Sequence, residues 1–199
     1  MNKEGNSVLI IGKPGTSKTT FLAQLYGKLL AKPERLSLRQ TPEDLLAIDE
    51  ARQRLAEGQS TASTPAEQNK VLKLSLLLDG NPLELEFPDY GGEQVKAIIR
   101  DRELGPQWVE MCRKSNTWLV FIRLHDHAEP HDVLTKAFTE VAAATSASDA
   151  QAEPVPLNEA VELVELLQML LAMRAVGVQR PIEQPRLKLV LTLWDELHT

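Results

Sequence analysis

Four consecutive apolar residues, Val8 to Ile11, run directly into Gly12-Lys13-Pro14-Gly15-Thr16-Ser17-Lys18-Thr19, and an amphipathic segment follows at once. A continuous apolar run closed by glycine predicts a strand buried on both faces. From Lys18 onward Phe21, Leu22, Leu25 and Leu29 recur at helical spacing, so a helix with one apolar stripe is expected to end near Lys32-Pro33. A strand covered on both faces needs helix layers above and below it. This one feature therefore points to an α/β fold in three layers around a mostly parallel sheet.

The rest of the chain fits that plan. Thr41-Pro42-Glu43-Asp44 looks like a helix start, with Thr41 as N-cap and Pro42 at the first position, and Leu45, Leu46, Ile48 and Leu55 carry the helix to about Gly58. Gln59 to Pro65 is a Ser/Thr-rich loop. Val71 to Leu78 and Leu83 to Phe87 flank Asp79-Gly80-Asn81-Pro82, which predicts a hairpin and thus one antiparallel strand. Gln94 to Lys114 should be helical but broken at Gly105-Pro106. Thr117 to Leu124 is the next strand, His131 to Ala144 a further helix, and Thr145 to Pro156 a flexible surface insertion rich in Ser, Ala and Pro. Leu157 to Val176 is a strongly apolar helix, and Arg186 to Leu193 a last strand.

With 199 residues, 43% of them hydrophobic, the chain is expected to form a single domain over residues 1–199. The net charge of −6 argues against the broad basic surface that nucleic acid requires. Cys112 is the only cysteine, which excludes an internal disulfide and a four-thiolate metal site and suits a reducing cytoplasm. The N-terminal apolar run is too short for a signal h-region or a membrane span.

Gly12 to Thr19 matches G-x-x-x-x-G-K-[ST] with Ser17 in place of the second glycine. Such a loop turns successive amides toward phosphates at a helix N-terminus, while Lys18 reaches the β/γ oxygens and the Thr19 hydroxyl binds Mg²⁺. Ser17 is tolerable if its φ stays negative. The expected contacts are Gly12, Lys13, Pro14, Gly15, Thr16, Ser17, Lys18, Thr19 and Thr20. Farther on, Asp89-Tyr90-Gly91-Gly92 follows an apolar strand and precedes a helix, and Thr192-Leu193-Trp194-Asp195 ends the last strand.

In that order these segments resemble the D-x-x-G and N-K-x-D elements of the translation-factor and Ras-like (TRAFAC) class of P-loop GTPases. The resemblance implies GTP and GDP as ligands and Mg²⁺ as cofactor. It gives Asp89 the metal-facing role and Gly92 the γ-phosphate contact. Thr64, with Thr61 in reserve, becomes the metal-binding threonine of a switch I insertion at about 33–69. Asp195 becomes the guanine acceptor, and Thr192 stands where an Asn ties the base loop to the phosphate loop. Leu193 replaces a Lys and would pack on the purine. Catalysis would rest on Lys18 and on Glu93 or Gln94 as the water-positioning group, with slow hydrolysis at most. A GTPase domain of this class continues with another helix and strand, so the fold is expected to be C-terminally incomplete here, with the remaining layer or the switch loops meeting a protein partner. The pattern GKPGTSKTTFLAQLYGKL further resembles bacterial GTPase-like domains of conflict or signalling systems.

Two other readings compete. Asp195-Glu196 after Leu189 to Leu193 has the look of an AAA+-type ATPase's Walker B segment, and a nucleotide-sensing module without turnover would need only the binding residues. His125, Asp126, His127, His131 and Asp132 offer metal-ligand types, but their spacing matches no compact zinc signature.

Overall fold

A computed structural model describes residues 6–31, 35–42, 45–59, 71–88, 93–126, 159–174 and 182–198. Its elements are β1 (Asn6–Ile11), α1 (Lys18–Ala31), β2 (Leu36–Leu38), α2 (Leu46–Ala56), β3 (Leu72–Leu78), β4 (Asn81–Phe87), α3 (Glu93–Asp101), α4 (Pro106–Lys114), β5 (Thr117–Arg123), α5 (Glu159–Ala172) and β6 (Arg186–Thr192). Short 3₁₀ turns follow β5 at Leu124–Asp126 and β6 at Trp194–His198. The predicted helix at 131–144, the insertion at 145–156 and the loop from residue 60 to Pro65 lie outside the described residues.

The described strands form one sheet in the order β2-β3-β4-β1-β5-β6. Strands β4, β1, β5 and β6 pair in parallel, while β3 runs antiparallel to both of its neighbours. The alternation of β1 splits the core. Val8 and Ile10 face α1 and α2, packing with Leu22, Tyr26, Ile48, Leu74 and Phe87. Leu9 and Ile11 face α3, α4 and α5, packing with Val95, Trp108, Trp118, Leu166 and Leu170. This is the expected three-layer α/β arrangement. Beyond α5, Arg174 donates to the carbonyls of Cys112 and Ser115 at 2.5 and 2.6 Å, fastening α5 to the end of α4.

Three local expectations need correcting. Strand β2 was not foreseen, because Leu36-Ser37-Leu38 is only three residues long. The Arg39 amide then bonds the Ser75 carbonyl at 2.9 Å, so the chain is still leaving the sheet edge there. Helix α2 consequently starts at Leu46 with Leu45 at its cap position and no side-chain cap, and Thr41 and Pro42 precede it as connecting chain. In the hairpin, Asp79 and Gly80 alone make the turn, both at positive φ, which matches the twist that two-residue hairpins need. Asn81 and Pro82 belong to β4 instead. Pro82 is accommodated because β1 first pairs at Leu83, so its missing N–H leaves no gap in that ladder. The break at Gly105-Pro106 is as expected, with Pro106 at the first position of α4.

No helix among the described residues is long and apolar enough to cross a membrane.

Candidate functional site

The C-terminal ends of β4, β1, β5 and β6 open on one side of the sheet, and the loop from Gly12 to Ser17 crosses that side between β1 and α1. Crowding explains its first glycine. A Cβ on Gly12 would lie 2.7 Å from Thr16 Oγ1 and 3.1 Å from Phe121, so no larger residue fits between β5 and the loop. Gly15 has φ +79°, and Ser17 has φ +61°. The condition of a negative φ, under which serine would cost little at position 17, is thus not met. The loop keeps the left-handed turn that the motif's second glycine would adopt freely, and serine sustains it at a cost of about 1 kcal/mol.

The loop is tied inward. Thr16 Oγ1 donates to the Lys13 carbonyl at 2.8 Å. Lys18 is 3% exposed, and its Nζ donates to the carbonyls of Gly12 and Lys13 at 2.7 Å each. Its ammonium therefore sits in the bend of the loop, where a phosphate oxygen would approach the neighbouring amides. Thr19 and Thr20 open α1 half-buried, and the first helical bond runs from the Phe21 amide to the Ser17 carbonyl. Lys13 leans the other way and pairs with Glu159 at 2.5 Å and with Glu162, both in the first turn of α5. Burial works to lower the Lys13 pKa, but the hydrogen bonds and charges of the two glutamates outweigh it and hold the ammonium above the ordinary lysine value. A cavity of about 30 Å³ lies beneath, bounded by Thr16, Val95, Phe121 and Leu163. It has room for about one water and none for a nucleotide.

Strand β4 lies directly beside β1, with Leu9 opposite Glu86, so the C-terminal ends of the two strands are neighbours. Asp89, Gly92 and Thr64 lie outside the described residues. Glu93 is exposed at the start of α3, and the Gln94 amide oxygen accepts a hydrogen bond from the Trp108 indole at 2.8 Å, which turns that side chain toward α4. Thr192 ends β6, the far edge strand among the described residues, and Asp195 lies just beyond it, with β5 between β6 and β1. Thr192 Oγ1 donates to the Ile122 carbonyl at 3.1 Å, and Asp195 is exposed. Leu193, between them, has φ +56°.

Two contacts had no counterpart in the sequence reading. One is the Lys13 clasp to α5, whose partners are 146 and 149 residues away and carry no local signal. The other is Arg123, the single charge closing the apolar strand TWLVFIR, which makes a bidentate pair with Glu196. Of the His/Asp group, His125 and Asp126 form part of the 3₁₀ turn after β5, while His127, His131 and Asp132 lie outside the described residues. Among the described residues no three His, Cys, Asp or Glu side chains group as a metal site would.

Residues 9–199 match the family described as Double-GTPase 1 (DO-GTPase1). No curated protein and no solved structure matches the chain.

Proposed function

Because the chain belongs to the Double-GTPase 1 family, and so carries a GTP-binding domain, we propose that residues 1–199 act as one Mg²⁺-dependent guanine-nucleotide switch of the TRAFAC class. The observation that carries this reading is Lys18, buried at the start of α1 with its ammonium held in the bend of the loop. A buried ammonium beside backbone carbonyls at a helix N-terminus is placed to meet an anion there. In this reading Lys18 turns from the carbonyls of Gly12 and Lys13 to the β/γ oxygens, and the amides of Lys13 and of Gly15 to Thr20 surround the phosphates. Hard oxygen donors suit Mg²⁺. The Thr19 hydroxyl at the start of α1 would hold the ion, joined by Asp89 and Thr64. Bound there, the metal would neutralise charge on the phosphates. Gly92 would contact the γ-phosphate, and Asp195 would accept from the guanine ring.

Hydrolysis needs a positioned water more than covalent chemistry. Glu93 is the exposed candidate for that task, and Gln94 is the second, although its amide already serves Trp108. Turnover is accordingly slow, and a partner docked on the switch loops would raise it, as in bacterial conflict or signalling systems that work in the cytoplasm. Single-turnover phosphate release from GTP tests this directly. Measurable release that falls at least about tenfold in Glu93→Ala, with Gln94→Ala near wild type, is expected. Equal rates in all three would remove both residues from the mechanism.

The engagement of Gln94 by Trp108 also favours a second reading, a nucleotide-sensing module without turnover. The ATPase reading fares worse on position. Asp195 and Glu196 stand beyond β6, which is an edge strand among the described residues and does not touch β1, whereas the β4 end lies beside it.

A further inference from the structure

One nucleotide can touch both the phosphate loop and the base loop only if the two are held at a fixed spacing. The motif's usual tie is an Asn at the position of Thr192, and that tie is missing here. The Thr192 hydroxyl donates to the Ile122 carbonyl, within the end of the sheet. A different bridge stands nearby. Arg123 closes β5, and its Nε and Nη2 donate to Oε2 and Oε1 of Glu196 at 2.7 and 2.9 Å. Both side chains are 31% exposed, so the pair is shielded from full solvent screening. The guanidinium also faces the phosphate loop, because a methyl group placed on Gly15 would stand 3.8 Å from Nη1. Arg123 thus lies against the phosphate loop on one side and grips the base loop on the other.

We propose that the Arg123–Glu196 pair is the positioning device that sets the guanine-reading loop against the phosphate loop, and thereby fixes affinity and selectivity for guanine nucleotides. The proposal rests on the reading of Asp195 as the guanine acceptor. Glu196 follows Asp195 directly, so the acceptor cannot shift far without breaking the fork. Leu193 supports the idea independently. A bulky residue at φ +56° persists only where its surroundings over-determine it. Here the Thr192–Ile122 bond holds one side of it and the Arg123–Glu196 pair holds the other. The bond from the Glu196 amide to the Leu193 carbonyl at 3.1 Å closes the turn between them. Planar, bidentate geometry is what distinguishes arginine from lysine in such a role. The same pairing leaves Glu196 ill placed to activate water, since both carboxylate oxygens accept from Arg123.

The test uses the 199-residue chain and two fluorescent probes, a GDP and an ADP carrying the same ribose label, with wild type, Arg123→Lys and Glu196→Gln. Lysine keeps the charge but loses the fork. Glutamine is isosteric and keeps the fold testable should the lysine variant melt early. The expected result is a GDP dissociation constant about tenfold weaker in each variant, with ADP binding unchanged, so that selectivity narrows. Variants that fold and bind GDP within about twofold of wild type would overturn the proposal, as would equal losses for GDP and ADP, which would mark the pair as general scaffolding. If wild type itself shows no preference for GDP, the guanine-switch reading fails first and leaves the pair nothing to position.

Discussion

In the proposed reading Lys18 and Asp195 serve the same ligand, yet the protein holds them in opposite ways. Lys18 is 3% exposed, bonded to two carbonyls, and carried by a loop that rises from the best-buried strand of the sheet. Asp195 is exposed in a 3₁₀ turn beyond β6, an edge strand among the described residues whose Leu187 and Leu189 remain 47% and 56% exposed. The phosphate side is over-determined by the core on both faces of β1. Among the described residues the base side is supported by an edge strand, the Thr192–Ile122 bond and the Arg123–Glu196 pair. Phosphate binding should therefore be robust and base selectivity easily changed.

The sharpest way to break this comparison is to cut into each side and compare the costs. Ile10→Ala on β1 should lower unfolding free energy by about 2–5 kcal/mol, since it leaves a cavity against α1, while Leu189→Ala on β6 should change it by less than about 0.5 kcal/mol. Urea unfolding of the two variants checks this, and equal effects would mean that β6 is as well supported as β1.

Nucleotide binding sharpens the contrast further. Lys18→Ala should weaken GTP and ATP analogues alike, by about a hundredfold or more, because the phosphates lose their cation whatever the base. Asp195→Ala should weaken only the guanine nucleotide, by about tenfold. Calorimetric titration separates the two patterns.

A smaller effect is expected at Ser17. Replacing it with glycine relieves the left-handed backbone at φ +61° and should raise stability by about 1 kcal/mol, seen as a higher melting temperature. A drop would mean that the serine side chain contributes more than its backbone costs.

The smallest effect concerns Cys112, whose thiol is buried beneath α4. Desolvation pushes its pKa up to about 12, only partly countered by the Arg174 charge. Below the unfolded thiol's ordinary value of about 9 both states keep the proton and its contribution is whole. As pH rises from there toward 12 the unfolded thiol ionises first, and stability falls. At pH 8 the folded protein should resist thiol reagents, whereas rapid labelling would place the thiol nearer the surface.

What could be read in advance follows the same division. Val8 to Ile11, the stripe on α1 and the Asp79-Gly80 turn are local patterns strong enough to set the fold class, and Gly12 to Thr19 marks the loop between β1 and α1. Strand β2 escaped notice because three residues carry too little alternation, and α2 started late because the sheet edge claimed the Arg39 amide that a helix start at Thr41 ignored. The φ of Ser17 followed from the loop's shape, and reasoning from the residue type alone missed it. Arg123 did leave a signal, a lone charge at the end of an apolar strand, but only the folded chain brings Glu196 and Gly15 to it. The clasp of Lys13 to Glu159 and Glu162 left none.

The most direct test of the account is calorimetric titration of the 199-residue chain with a GTP analogue, GDP and an ATP analogue in Mg²⁺, alongside Lys18→Ala and Asp195→Ala. Guanine-selective binding that is lost for every nucleotide in the first variant and only for guanine in the second is the predicted result. Preferential binding of the ATP analogue, or GTP binding that survives the loss of Lys18, would contradict it.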